Sequence, residues 1–165
     1  MNYPDITIPK GSGIYSLLLE LEKDMCIAVR ALGEIKFPAG YYSYTGSARG
    51  GGGFSRIRRH LDVAAGRNPT RRWHIDYLLP HTIPRGVVLS YTDQDLECQI
   101  SGTIGSHTKT IHRFGSSDCS CTGHLHMERD IEKLVRIVTN AHDINGLLKN
   151  FIPFNLCFPL EKNKR

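Results

Sequence analysis

Three features of the sequence carry residue types that can act on a phosphate ester. Gly13-Ile14-Tyr15 opens one apolar run, Tyr44-Thr45-Gly46 closes another, and Arg56, Arg59 and His60 follow in a third stretch. Spaced i, i+3 and i+4, the last three can share one face of a helix. A guanidinium on such a face can hold a phosphodiester, while a phenol or an imidazole handles a proton. A second group, Cys119-x-Cys121-x-x-His124-x-His126 with Cys98 upstream, offers metal-capable side chains. Its spacing matches no usual structural zinc pattern, so buried thiols in a hydrogen-bonded loop are expected, with a zinc site of Cys98, Cys119, Cys121 and His124 as the alternative.

These residues need a scaffold. Residues 13–31 hold two apolar runs separated by Lys23-Asp24, which predicts an antiparallel hairpin, and residues 40–46 predict a short aromatic strand. Four consecutive glycines, 50–53, exclude helix interior, since each costs roughly 1 kcal/mol there relative to alanine. Residues 54–65 then predict a helix with Ile57, Leu61 and Ala64 inward and Gly66 as its stop. A short helix over 73–79 ended by Pro80, a strand over 86–91, and a helix from about Asp95 to Gly102 capped by Thr92 or Asp93 come next. Residues 105–126 lack periodicity and read as a structured loop or a site. Ile131, Leu134, Val135 and Val138 mark an amphipathic helix over 128–141, and 151–159, with two prolines, an edge strand or extended tail.

Charge narrows the partners. The net +5 comes from 21 Lys+Arg against 16 Asp+Glu. Residues 49–72 hold seven arginines, no lysine and only Asp62, a local +6 that accounts for the whole excess. Such a segment is a polyanion-facing surface or a solvated basic helix face. At 165 residues the chain suits one domain, with 1–126 as its main body and 127–165 packed on it as helix and tail. It has no apolar run long enough for a membrane span, and its first ten residues do not read as a signal peptide. The expectation is a cytoplasmic protein without a disulfide framework, its five cysteines being odd in number.

Gly13-Ile14-Tyr15 and Tyr44-Thr45-Gly46-Ser47-Ala48-Arg49, continued by Phe54-Ser55-Arg56-Ile57-Arg58-Arg59-His60, resemble the two motifs and following helix of the GIY-YIG nuclease superfamily. Thr45 replaces the isoleucine of the second motif. Trp73-His74-Ile75-Asp76-Tyr77-Leu78 and Ser117-Asp118-Cys119-x-Cys121-x-x-His124-Leu125 extend the likeness to a Uri-like, archaeal-type branch sometimes fused to endonuclease III. The resemblance implies an α/β (α+β) domain: a small mixed or antiparallel three-stranded sheet flanked by helices. It also implies hydrolysis of DNA phosphodiesters with one Mg²⁺ or Mn²⁺.

Carried over, Tyr15 would be the base or would orient water, and Tyr44 would support it or bind phosphate. Arg56 would stabilise the phosphoryl charge, and His60 would carry a proton. Glu97 would hold the metal, with Asp93 and Asp95 close by. Arg49, Arg58, Arg59, Arg71 and Arg72 would contact the DNA backbone.

Elsewhere the structural readings stand: Tyr41 and Tyr42 as strand aromatics, Asp76 as a cap or ion-pair partner, Trp73 as core or a base-stacking ring. The four-glycine insertion and the lack of the superfamily's late asparagine leave an alternative, a non-catalytic nucleic-acid-binding module working with a DNA-repair partner.

Overall fold

A computed structural model describes residues 6–143 and 149–154. Six strands form one sheet, β1 (Gly13–Leu21), β4 (Gly40–Ala48), β5 (Ile83–Tyr91), β6 (Lys109–Thr110), β7 (Leu125–Glu128) and β8 (Lys149–Pro153), in the order β6-β7-β4-β1-β5-β8. Every neighbouring pair is antiparallel. A separate hairpin joins β2 (Met25–Ala28) to β3 (Glu34–Phe37). The helices are α1 (Ser55–Ala64), α2 (Ile75–Leu78), α3 (Glu97–Gly105) and α4 (Ile131–Ala141). Among the described residues no helix is long and apolar enough to cross a membrane.

The mixed α/β class stands, while the sheet is wider than the three strands expected: β4, β1 and β5 are its centre, and β6, β7 and β8 extend it. The predicted hairpin of residues 13–31 does not form. Strand β1 pairs with β4 on one side and β5 on the other, and β2 pairs with β3 instead. The reason lies in burial. Tyr15, Leu17, Leu19 and Leu21 pack in one apolar cluster with α1 and α2, whereas Ile14 and Leu18 pack in the other with α3 and α4. A strand covered on both faces loses its apolar-polar alternation, so nothing local marks it as central.

The predicted helices over 54–65 and 128–141 appear as α1 and α4, and α1 ends before Gly66 in the left-handed region, φ +78. Asp130 caps α4, its carboxylate accepting from the backbone of Glu132 and Lys133. Helix α3 starts at Glu97, two residues later than expected. Thr92 caps only a local turn, its hydroxyl accepting from the backbone N–H of Gln94. The tail appears as the edge strand β8 on β5, and 155–159 lie outside the described residues.

One buried polar cluster ties α4 to the sheet. His142, just past α4 and fully buried, lies 2.8 Å from Ser16 Oγ through Nε2 and 2.8 Å from Ser90 Oγ through Nδ1. Ser16 is also bonded to Thr45 Oγ1 at 2.7 Å, so β1, β4 and β5 all take part. A neutral imidazole offers one donor and one acceptor, which two hydroxyls satisfy. Burial, assisted by Lys149, pushes the pKa of His142 down to about 3.

A histidine neutral when folded takes up its proton first when unfolded. Its contribution is therefore complete above about pH 6.5 and declines as pH falls toward the folded value. Urea unfolding should show stability falling by roughly 1.4 kcal/mol per pH unit per such group below about pH 6. His142→Gln should remove one group's share of that slope.

Candidate active site

Tyr15 and Gly46 face each other across the β1–β4 ladder. A Cβ at residue 46 would lie 2.5 Å from the Tyr15 hydroxyl and 2.6 Å from the ring carbon bearing it, so only glycine lets the phenol lie over the strand. Gly13 answers the same kind of constraint, since its Cβ would stand 1.8 Å from the carbonyl oxygen of Ser90. The glycines of both motifs are thus clearance positions for β1 against its neighbours.

Helix α1 delivers the next residues. Its buried face of Ile57, His60, Leu61 and Val63 turns His60 toward the sheet, where Nε2 lies 2.6 Å from the Tyr15 hydroxyl. Rings of Tyr15, Tyr44 and Trp73 surround His60 at 5.6, 6.0 and 6.1 Å between centroids. Burial pushes the pKa of His60 down to about 3, with Asp76 opposing and Arg59 and Arg56 reinforcing the shift. Burial likewise raises the phenols of Tyr15 and Tyr44 well above 10, against the pull of Arg56 and Arg59. At neutral pH the Tyr15–His60 pair is therefore a phenol and a neutral imidazole, not a phenolate. His60 Nδ1 is buried without a hydrogen-bond partner among the described residues.

Trp73 organises the arginines. The guanidinium carbons of Arg59, Arg56 and Arg72 lie 4.2, 5.1 and 5.4 Å from its ring centroid, so the ring is a cationic platform at the pocket rim. Asp76 is fully buried and is the ion-pair partner that was one of its two expected roles; it lies within α2, whose N-terminus has no side-chain cap. It accepts two bonds from Arg59, at 2.8 and 2.9 Å, and the backbone N–H groups of Arg72 and Trp73, at 2.8 and 3.0 Å. Burial works against the charged carboxyl, yet the Arg59 and backbone bonds hold its pKa below the ordinary range. Arg59 thus has an internal partner that fixes the platform.

A cavity of about 210 Å³ opens between these elements. Small-molecule pockets usually measure roughly 300–1,000 Å³, so this one suits a single charged group of a larger ligand. Tyr15, Tyr44, Arg56, His60 and Glu97 all line it, although they come from β1, β4, α1 and α3. Arg56 is exposed and donates to the Ser47 carbonyl at 2.6 Å. Asp95 stands apart and exposed, 3.5 Å from Arg49, which leaves Glu97 as the carboxylate of the α3 start that faces the cavity. A second carboxylate, the exposed Asp118 of the loop before β7, lines the same cavity, and with Glu97 and the hydroxyl oxygens of Tyr15, Tyr44, Ser47 and Ser117 it gives an oxygen donor set that fits a hard cation keeping most of its waters.

Sequence reasoning did not single out Arg30 and gave His74 no role of its own. Arg30, at φ +44 in the turn between β2 and β3, lines the cavity and donates to the Arg72 carbonyl at 2.5 Å. His74 Nδ1 accepts from the Gly115 backbone at 2.9 Å and pins the loop after β6 to the cavity wall. No motif marks Arg30, and the Trp73–Leu78 block names His74 without a task; the placement of the β2–β3 hairpin and of that loop supplies both.

The other arginines of 49–72 also contact the protein itself, although Arg49, Arg67 and Arg71 stay exposed. Arg49 donates to the Asp93 carbonyl at 3.1 Å, Arg67 pairs with Asp62 at 2.7 Å, and Arg58 donates to the Ile6 carbonyl. Arg71 bonds to the carbonyls of Asn68 and Thr70.

Cys98, Cys119, Cys121 and His124 converge beside Glu97, with ligand atoms all within 4.8 Å of one another. The thiols are not buried as expected: Cys98 and Cys119 are exposed and Cys121 is intermediate, because the first turn of α3 and residues 117–122 lie at the surface. His124 is the inner member at 2% exposure, and its Nδ1 lies 2.9 Å from a carboxylate oxygen of Glu97.

Gly46→Ala should displace the Tyr15 phenol. The cost of overpacking is about 1–3 kcal/mol, measurable as a lower denaturant midpoint at unchanged slope.

Residues 14–147 match the model of the family described as "Domain of unknown function DUF123". No curated protein and no solved structure matches the chain. The match runs from β1 to beyond α4 and so takes in every residue of the cavity and of the Cys/His group. The chain is a member of the DUF123 domain family.

Proposed function

We propose that the protein is a metal-dependent endonuclease that hydrolyses DNA phosphodiester bonds at the Tyr15–Glu97 cavity. The observation that carries this reading is the meeting of a phenol–imidazole pair, an exposed guanidinium and a carboxylate around a space of one phosphate's size. The resemblance of the motifs to GIY-YIG nucleases supports it, because Tyr15, Tyr44, Gly46, Arg56 and His60 of those motifs line the cavity.

Attack of water on phosphorus forms one P–O bond, breaks the ester P–O bond opposite it and spreads negative charge over the phosphoryl oxygens, and the leaving alkoxide takes its proton from solvent. Arg56, carried on Trp73 and steadied by Ser47, offers its remaining N–H groups to that charge. Tyr15 is too weak an acid to act as a phenolate at neutral pH, so it works as a relay. Its oxygen accepts the proton of the attacking water as its own proton passes to His60 Nε2. His60, neutral without a phosphate beside it, gains basicity from the approaching phosphate anion, which adds to the standing pull of Asp76. Tyr44 walls the cavity beside them. Glu97 would hold Mg²⁺ or Mn²⁺, which supplies Lewis-acid charge stabilisation when bound. Arg30 and Arg72 border the same cavity and extend the cationic surface for flanking phosphates.

The second reading, a binding module without turnover, is favoured by one observation: one oxygen of Glu97 already contacts His124, which leaves the other for a cation. The two readings separate in one assay.

Purified protein incubated with branched, single-stranded and duplex DNA and Mg²⁺ or Mn²⁺ should cut at least one substrate. Arg56→Ala should reduce cleavage by about 10²–10³-fold, as loss of one charge-stabilising donor does elsewhere. Tyr15→Phe, which removes the relay but keeps the ring, should fall similarly while binding DNA normally. Binding without cleavage under all these conditions selects the second reading, and equal cleavage by Arg56→Ala overturns the first.

DNA affinity should also fall linearly with salt on logarithmic axes. Arg72→Ala should lower that slope by about one. A fluorescence-anisotropy titration at several salt concentrations measures it.

A further inference from the structure

The Cys98, Cys119, Cys121 and His124 group has the dimensions of a metal site. His124 Nε2 lies 3.5 Å from Cys119 Sγ and 3.8 Å from Cys98 Sγ, and no pair of the four ligand atoms exceeds 4.8 Å. A tetrahedron built from Zn–S bonds of about 2.3 Å and a Zn–N bond of about 2.0–2.1 Å has S–N edges of about 3.6 Å and S–S edges of about 3.8 Å. The thiols meet without an apolar reason to do so, since they sit at the surface and belong to neither apolar cluster.

His124 completes the pattern. Nε2 faces the sulfurs and Nδ1 faces the Glu97 carboxylate at 2.9 Å. Metal-bound histidines usually have such a carboxylate behind them, which fixes the ring and its tautomer. The backbone of His124 is held as well: its N–H donates to the Phe114 carbonyl at 2.7 Å, and its carbonyl accepts from Thr45 at 3.1 Å. The group therefore joins three pieces of chain, the first turn of α3, the loop at 119–121 and the entry to β7, directly beside the cavity wall.

We propose that Cys98, Cys119, Cys121 and His124 bind one zinc ion in a closed tetrahedral Cys₃His site. The ion clasps the loop between β6 and β7 to α3. Through His124 it also sets the position of Glu97, whose next neighbour in the chain, Cys98, is itself a ligand. Three thiolates and one imidazole leave no open position, so the zinc is structural. The zinc site stands without the nuclease reading; only the positioning of Glu97 for catalysis rests on it.

Metal analysis of the full chain, purified without chelator, should find about one zinc per chain. Cys26→Ser, which changes an exposed thiol outside the group, should keep the zinc, whereas Cys119→Ser with Cys121→Ser should lose it. Should that double variant fail to fold, Co²⁺ exchanged into the unaltered protein reads the site directly, through the intense absorption of a four-coordinate cobalt–thiolate centre.

Absence of zinc together with absence of that spectrum overturns the proposal, as does iron in place of zinc or a disulfide among these cysteines. Zinc present in a protein that cuts no DNA leaves the site intact and removes the nuclease reading. DNA cleavage by a protein that binds neither zinc nor cobalt does the reverse.

Discussion

The close approach of the Tyr15 phenol to the backbone of Gly46 is the constraint from which the site follows. With no Cβ at residue 46, the ring passes close over β4 and its hydroxyl reaches His60 on the inner face of α1. Helix α1 can meet it there only because His60 belongs to the buried face, between Ile57 and Leu61. A polar residue in that position needs a partner, and the phenol supplies one. The hydrogen bond that serves the core is thus also the proton path of the proposed chemistry. Strand β1, gripped by β4 and β5 over its length, gives the pair a rigid base.

Around that pair the structure separates charges that hold from charges that face outward. Asp76 gathers four hydrogen bonds in a buried position and fixes Arg59 and the chain at Trp73. A buried carboxylate so fully satisfied locks the indole, and the indole carries Arg56 and Arg72 at the rim. The basic segment is therefore less uniform than its +6 suggests. Several of its arginines spend their donors on the protein's own carbonyls and carboxylates, and the pocket takes a third cation, Arg30, from the β2–β3 turn.

Glu97 sits between two centres. Its side chain lines the cavity, while one of its oxygens contacts the histidine of the Cys/His group. A carboxylate held from behind by an imidazole loses rotamer freedom, which favours a fixed role in the cavity and couples the surface loop to the site. The loop between β6 and β7 has little regular structure of its own, so its shape depends on such anchors: His74 on Gly115, Phe114 on His124, and the thiol group.

Helices α1 and α4, the strand before α3, the turn glycines and the motif residues were legible in the amino-acid sequence, because each follows from periodicity or residue type over a few positions. The partners of β1 were not. A strand buried on both faces carries no local sign of its neighbours, and its contact with β5 spans some seventy residues. The sequence offered Glu97 with Asp95 as its neighbour and Asp76 as a cap or ion-pair partner, but that Asp95 turns away, that Arg59 is the partner of Asp76, and that Arg30 and His74 reach the cavity depend on where distant elements pack. Spacing alone also made Cys98, Cys119, Cys121 and His124 an unusual metal pattern, because their common point lies between segments that only the folded chain brings together. The sequence by itself determined which chemical groups are available and which short stretches carry them. Tertiary structure decided which groups meet, because meeting depends on packing and sheet order, and those are properties of the whole chain.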